Sequence, residues 1–338
     1  MDERAINPNF KFGRGIIRDA SREWGDYLLV TMPEVWKKSE KMLLKKPRQI
    51  FFVKTMELIE IEKAEKELPG AETIVGMGGG MAIDFAKFVS WKRGMEPVLV
   101  PGVVSVDAPV CQSIAVREQN RVRYIGKALA REIIVDFDLI QSAPVRLNRA
   151  GIGDILSIHT ALFDWSLAGK LGKTEYNEAL ARDAGKILDE LEEHCSEIRN
   201  ASEKGLTWLM RAFARENALC IKNGNSRPEE GSEHFFAYNL EYLTGRGYIH
   251  GELVCLGVLL MARLQDNVVK RVEKILSQTG VNYHPKDLGI SREEINKALI
   301  TLKDYTEKEK LGYSIINNKP ITGKVIEEIC QGLDYGSS

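Results

Sequence analysis

The chain has 338 residues, 44% hydrophobic and 28% charged, an ordinary globular composition with length enough for two cores. Its 47 Lys and Arg against 48 Asp and Glu leave a net charge of −1, so no basic field points to nucleic acid or an anionic membrane. No apolar run nears the roughly 20 residues of a membrane helix. The polar start MDERAINPNF lacks a secretory pattern. The five scattered cysteines, without a C-x-x-C pair, suit free thiols in a reducing cytoplasm.

In chain order, DYLLVTM (26–32), RQIFFVK (48–54), ETIVGMG (72–78), EPVLVPG (96–102) and REIIVDF (131–137) predict strands. The amphipathic stretches 33–45, 57–68 and 81–92 predict helices between them. Such alternation calls for a parallel sheet with helices on both faces. Beyond Ala143 the texture becomes helical: 149–169, 174–199, 201–223, 231–243, 250–279 and 291–305. The expectation is an α/β domain over 1–142 and an all-helical domain over 143–338.

Two segments of the first half carry chemistry. In ETIVGMGGGMAIDFAKF a strand runs into Gly76, Gly78, Gly79 and Gly80 and then into a helix. Glycines let a ligand approach the backbone, and a helix start offers free N–H groups, a combination that suits a pyrophosphate. The turn is neither G-x-G-x-x-G, since Met81 takes the third glycine position, nor a P-loop. A tight strand–helix turn without a ligand is the plain alternative. Asp84 and Lys87 follow on one helix face, where a surface ion pair explains them as well as a ligand does. The segment VLVPGVVSVDAPVCQS (98–113) places Ser105 and Asp107 after the next strand. Asp107 suits a substrate hydroxyl or the cap of a turn.

In the second half, Asp154, His234 and His250 each stand beside a glycine at the start of a separate apolar helix. One carboxylate and two imidazoles leave an open coordination position, the pattern of a catalytic zinc or iron site. An acid at a helix start is also a plain cap. His159 lies five residues after Asp154, roughly 140° around a helix, and so faces elsewhere. His194 and His284 read as surface residues.

These segments, in this order, resemble the dehydroquinate synthase-like superfamily, which includes the iron-containing alcohol dehydrogenases, glycerol dehydrogenase and sn-glycerol-1-phosphate dehydrogenase. AGIGDILS (150–157), TALFDWSLA (160–168), SRPEEGSEHFF (226–236) and HGELVCLGVLLM (250–261) are similar to the glycerol-1-phosphate enzymes. SVDAP (105–109) is closer to glycerol dehydrogenase. The resemblance implies a Rossmann-like parallel-sheet domain followed by an all-α domain. It implies Gly78, Gly79, Gly80, Asp84 and Ser105 at an NAD or NADP cofactor, and Asp107 at the substrate. Asp154, His234 and His250 would hold one divalent metal, usually zinc. The expected enzyme is a cytoplasmic homo-oligomer interconverting a small polyol and its ketone, foremost sn-glycerol 1-phosphate and dihydroxyacetone phosphate. Glycerol oxidation and a non-redox cyclase or lyase reaction are the alternatives. Three positions depart from the pattern. Gly102 stands where relatives have Thr, Ile158 where Lys is common, and Tyr238 where phosphate-using relatives carry a second His. Arg117, Arg121, Arg123 and Lys127 read as solvated surface charge.

Overall fold

A computed structural model describes residues 2–336. The chain divides into two compact units at Asn148/Arg149. Asn148 belongs to the first because its side chain accepts from the Val104 N–H at 2.9 Å and donates to the Ile140 carbonyl at 3.2 Å.

The first unit holds eight strands: β1 (Phe10–Gly13), β2 (Tyr27–Thr31), β3 (Gln49–Phe52), β4 (Thr73–Gly78), β5 (Val98–Pro101), β6 (Ser113–Glu118), β7 (Arg121–Lys127) and β8 (Glu132–Asp136). Six form one sheet in the order β1-β8-β5-β4-β2-β3, with every pair parallel. The parallel sheet expected from the alternating pattern is therefore present. Every residue of β2, β4, β5 and β8 is buried, as a sheet covered on both faces requires. One face packs Tyr27, Leu29, Val75, Met77, Val98, Val100 and Ile134 against Ile17 and Trp24. Toward the helix Gly80–Arg93, Phe51 stacks on Phe85 with ring centres 4.6 Å apart.

Two features differ from the expected elements. The edge strand β1 was not anticipated, and 113–127 forms the antiparallel hairpin β6–β7. That hairpin turns at Gln119 and Asn120, both at positive φ (52° and 63°), without a glycine to announce it.

The described residues of the second unit form helices and connecting loops, with no strand among them. The helix His250–Gln265 is its centre and is buried at nearly every position, Arg263 and His250 excepted. A helix apolar on all sides needs neighbours on all sides. It packs on Ile152–Leu156, Ile158–Lys170, Ser232–Thr244 and Val269–Thr279. The single helix expected over 250–279 is two, because Asp266 and Val268 adopt left-handed backbone at φ 54° and 35°.

Candidate metal centre and cofactor turn

The glycine turn joins β4 to the helix Gly80–Arg93. Gly78 sits at φ 152°, and a Cβ there would come within 3.0 Å of the Ala82 Cβ. Gly79 is the helix N-cap and supplies no side chain to satisfy the first N–H groups. The turn therefore presents uncapped donors at a helix start, next to β5. The Gly102 N–H, just after β5, donates to the Gly78 carbonyl at 2.8 Å. A Cβ added at Gly102 would lie 3.2 Å from the Gly78 Cα, a tight contact.

Asp84 is placed differently from the expectation. It is buried in a pair with Lys87, with Nζ 2.7 Å from Oδ1 and the lysine side chain only 1% exposed. The pair is therefore not a surface ion pair. Its helix position turns it inward, beneath the loop that carries Ser105 and Asp107. Those two residues are half-buried, and the Asp107 carbonyl closes a turn by accepting from Val110 and Cys111 at 2.8 and 3.1 Å.

In the second unit, Asp154 stands in Ile152–Leu156, His234 in Ser232–Thr244 and His250 at the first position of His250–Gln265. The structure brings one ligand atom from each to within 4.8 Å of the others. His250 Nε2 is 3.4 Å from Asp154 Oδ1, and the two imidazole centres are 5.3 Å apart. Ligands about 2.1 Å from a tetrahedral ion stand roughly 3.4 Å from one another. The donor set, one carboxylate and two imidazoles, thus fits a divalent cation in chemistry, and the Asp154–His250 separation matches the spacing of two ligands on one ion.

Close backbone approach makes this possible. A Cβ on Gly153 would fall 2.5 Å from Gly251 Cα and O, so the Asp154 and His250 helices touch through two glycines. A Cβ on Gly257 would fall 2.6 Å from the Glu233 carbonyl, so the His234 helix is equally tight against the His250 helix.

Around the three ligands lies an outer layer that sequence reading missed. His234 Nδ1 is 2.9 Å from Glu233 Oε1, which leaves Nε2 for the centre. Glu233 also accepts from the Gly231 N–H at 2.6 Å and the Thr160 hydroxyl at 2.7 Å. A carboxylate behind a ligating imidazole fixes its tautomer and orientation. Asp164, fully buried, accepts from the Ser232 and Ile315 amides and ties the start of the His234 helix to the C-terminal segment. Burial, aided by the charge of Glu233, pushes its carboxyl up to about 7. For His234, burial works against the imidazolium. The Glu233 hydrogen bond and the charges of Glu233, Glu230 and Asp154 outweigh it and raise the pKa to about 9. The pocket is therefore strongly favourable to positive charge. The only local signal for Glu233 was its place beside His234.

His159 stands apart with Nε2 2.8 Å from the Asn267 carbonyl, in the helix Ile158–Lys170 and not, as expected, in one helix with Asp154. Tyr238 lies one turn on from His234, its ring centre 5.9 Å from the imidazole. Ile158 is fully buried.

Known proteins extend this picture. The family model for iron-containing alcohol dehydrogenases matches residues 32–144. The glycerol-1-phosphate dehydrogenase of Hyperthermus butylicus is 32% identical over 80% of this chain and 78% of its own. The chain belongs to the glycerol-1-phosphate dehydrogenase family. The Sulfurisphaera tokodaii member, which like the first is described as using NAD(P)+, is 31% identical over 91% of this chain and 89% of its own. Among solved structures, a probable glycerol dehydrogenase from Sinorhizobium meliloti superposes with a TM-score of 0.74 at 20% identity, covering 95% of this chain and 94% of that one. Glycerol dehydrogenase from Schizosaccharomyces pombe gives 0.68 at 19% identity, covering 95% and 87%. The sequence relatives establish the family, and the solved structures show the dehydroquinate synthase-like fold. Among the described residues no helix is long and apolar enough to cross a membrane.

Proposed function

We propose that this protein is an NAD(P)-linked, metal-dependent polyol dehydrogenase that interconverts sn-glycerol 1-phosphate and dihydroxyacetone phosphate. The observation that carries it is the convergence of Asp154, His234 and His250 to within 4.8 Å, in a member of this family. In this reading the first unit binds the nicotinamide cofactor and the second holds the metal, with zinc as the ion.

When bound, the divalent cation supplies Lewis acidity toward a hydroxyl or carbonyl oxygen, and the nicotinamide supplies or accepts hydride. The chain's own residues prepare for both. Glu233 holds the His234 ring so that Nε2 faces inward. Asp154, 6% exposed, keeps an anionic ligand in a poorly hydrated place, where its charge acts at greater strength than in water. The Gly78–Gly80 turn offers backbone donors to a pyrophosphate. Asp107 accepts hydrogen bonds from substrate hydroxyls and orients the reacting carbon, while Ser105 on the same loop serves the cofactor. A homo-oligomer in the cytoplasm completes the proposal; the five free cysteines suit a reducing compartment, and sedimentation reads the assembly.

The test is a reductase assay on purified protein of known metal content. Dihydroxyacetone phosphate and dihydroxyacetone are each offered with NADH and with NADPH, and absorbance at the reduced-nicotinamide band is followed. Zinc-dependent oxidation with the phosphate ester preferred is the expected result. Preference for the free ketone would move the assignment to glycerol, and turnover without net nicotinamide change would move it to a cyclase or lyase.

A further inference from the structure

The function so far leaves one buried cation unused. Lys87, in the middle of the helix Gly80–Arg93, has its ammonium 2.7 Å from Asp84 Oδ1. The same Nζ donates to the carbonyls of Ala108 at 3.1 Å, Cys111 at 2.9 Å and Ser113 at 2.8 Å. Burial opposes its charge, but Asp84 and then Cys111 and Asp107 outweigh that and raise its pKa. The amine is thus aimed at the backbone from Ala108 to Ser113, the loop that leads into β6.

Stability alone does not call for such a group. Taking an ion pair out of water costs several kcal/mol per ion, and apolar residues of the same volume are often as stable or better. What the ammonium does is local. Its three carbonyl acceptors lie within six residues after Asp107, and the Cys111 amide donates back to the Asp107 carbonyl at 3.1 Å. The other end of the loop is tied by Gly102 to Gly78 at 2.8 Å and by Val104 to Asn148 at 2.9 Å. Ser105 and Asp107 sit between these two anchors. Carbonyl oxygens bear only partial charge, so a neutral side chain at position 87 would hold them far more weakly.

We propose that Lys87 is a positioning residue, whose ammonium clamps the Ser105–Asp107 loop in the conformation that receives the polyol. This rests on the functional reading above, which places Asp107 at the substrate. The lysine touches neither substrate nor cofactor in this account; it acts through Asp107.

The experiment compares the zinc-loaded parent with an Asp84→Asn/Lys87→Met double variant, which removes both charges and strands neither. Asp84→Asn/Lys87→Gln, which keeps two donors at position 87 and strands no charge, is the second variant should the first fold poorly, with the same outcomes expected. Hydrogen exchange is read by mass spectrometry over 105–112 without substrate, and KM is read for dihydroxyacetone phosphate and for the reduced nicotinamide. The expected result is at least tenfold faster exchange confined to that loop and at least a tenfold higher KM for dihydroxyacetone phosphate. The zinc affinity should stay within threefold, and the nicotinamide KM should rise less than that for dihydroxyacetone phosphate, a split that general loosening of the fold would not produce. A folded variant with unchanged exchange, or with a dihydroxyacetone phosphate KM within twofold of the parent, overturns the proposal. Absence of polyol turnover in the parent would instead count against the functional reading, while the exchange measurement still decides whether the clamp exists.

Discussion

Replacing Gly153 by Ala tests whether backbone contact sets the metal centre. The new Cβ would sit 2.5 Å from Gly251 Cα and O and 2.9 Å from Gly251 C. Carbon atoms in contact stand about 3.5–4.0 Å apart, so the start of the His250 helix must retreat by about 1 Å. All three atoms are backbone, so no side chain can swing aside. Metal sites tolerate about 0.2 Å in ligand distance, a fifth of that retreat. Alanine gains about 1 kcal/mol in helix propensity, while overpacking costs about 1–3 kcal/mol. Thermal stability of the metal-free protein should therefore fall by no more than about 2 kcal/mol. Zinc affinity should fall much further, by a factor of at least about 100, or about 2.8 kcal/mol, as His250 leaves ligating distance from its partners. Competition against a chromophoric chelator measures the affinity, and melting of the chelated protein measures the fold. A Gly153→Ala protein that binds zinc within threefold of the parent would refute the reasoning.

Three other outcomes follow from the same geometry. Glu233→Gln removes the charge behind His234 and should cost about 10–100-fold in zinc affinity, the usual loss of an outer-layer partner; an unchanged affinity rejects the role. In the metal-free protein His234 has its pKa raised to about 9, so below that pH the imidazolium must lose a proton to ligate. Apparent zinc affinity should accordingly rise about tenfold per pH unit from 7 toward 9 and then level, with about one proton released per ion by calorimetry. A flat profile across that window would contradict it. Gly78→Ala forces a side chain onto φ 152° and against Ala82, and should raise the Kd for NADH at least about tenfold while zinc binding is unaffected; fluorescence titration of NADH reads the first and the chelator assay the second.

Much of this was legible in the chain itself. The five predicted strands correspond to β2, β3, β4, β5 and β8, because their β-branched runs are short and bounded by turns. Asp154, His234 and His250 stood out because each begins an apolar helix beside glycine, and the glycines prove to be what lets the helices close. Other features lacked a local signature. β1 is four residues of mixed exposure, too short to register as periodic. The hairpin β6–β7 hides under alternating arginines, with only Ile114 and Val116 buried among its residues. The break after Gln265 has neither Gly nor Pro; Asp266 and Val268 take left-handed backbone under tertiary constraint. Lys87 looked like surface charge because lysine is seldom buried, and only the three-dimensional path of 108–113 brings carbonyls to it. Glu233 could not be distinguished from any first-turn acid until the ring beside it was placed.

No two of the three ligands come from one helix, and Gly153 meets Gly251 while Gly257 meets Glu233. No excised fragment bearing one of these helices can therefore assemble the centre. An ion held at a thousandfold above its Kd stabilises the docked arrangement by about 4 kcal/mol, and nothing less than that arrangement benefits. Occupancy is thus a report on the packing of the whole helical unit, and a chain nicked between Leu156 and His250 should lose its ion in step with the parting of its pieces.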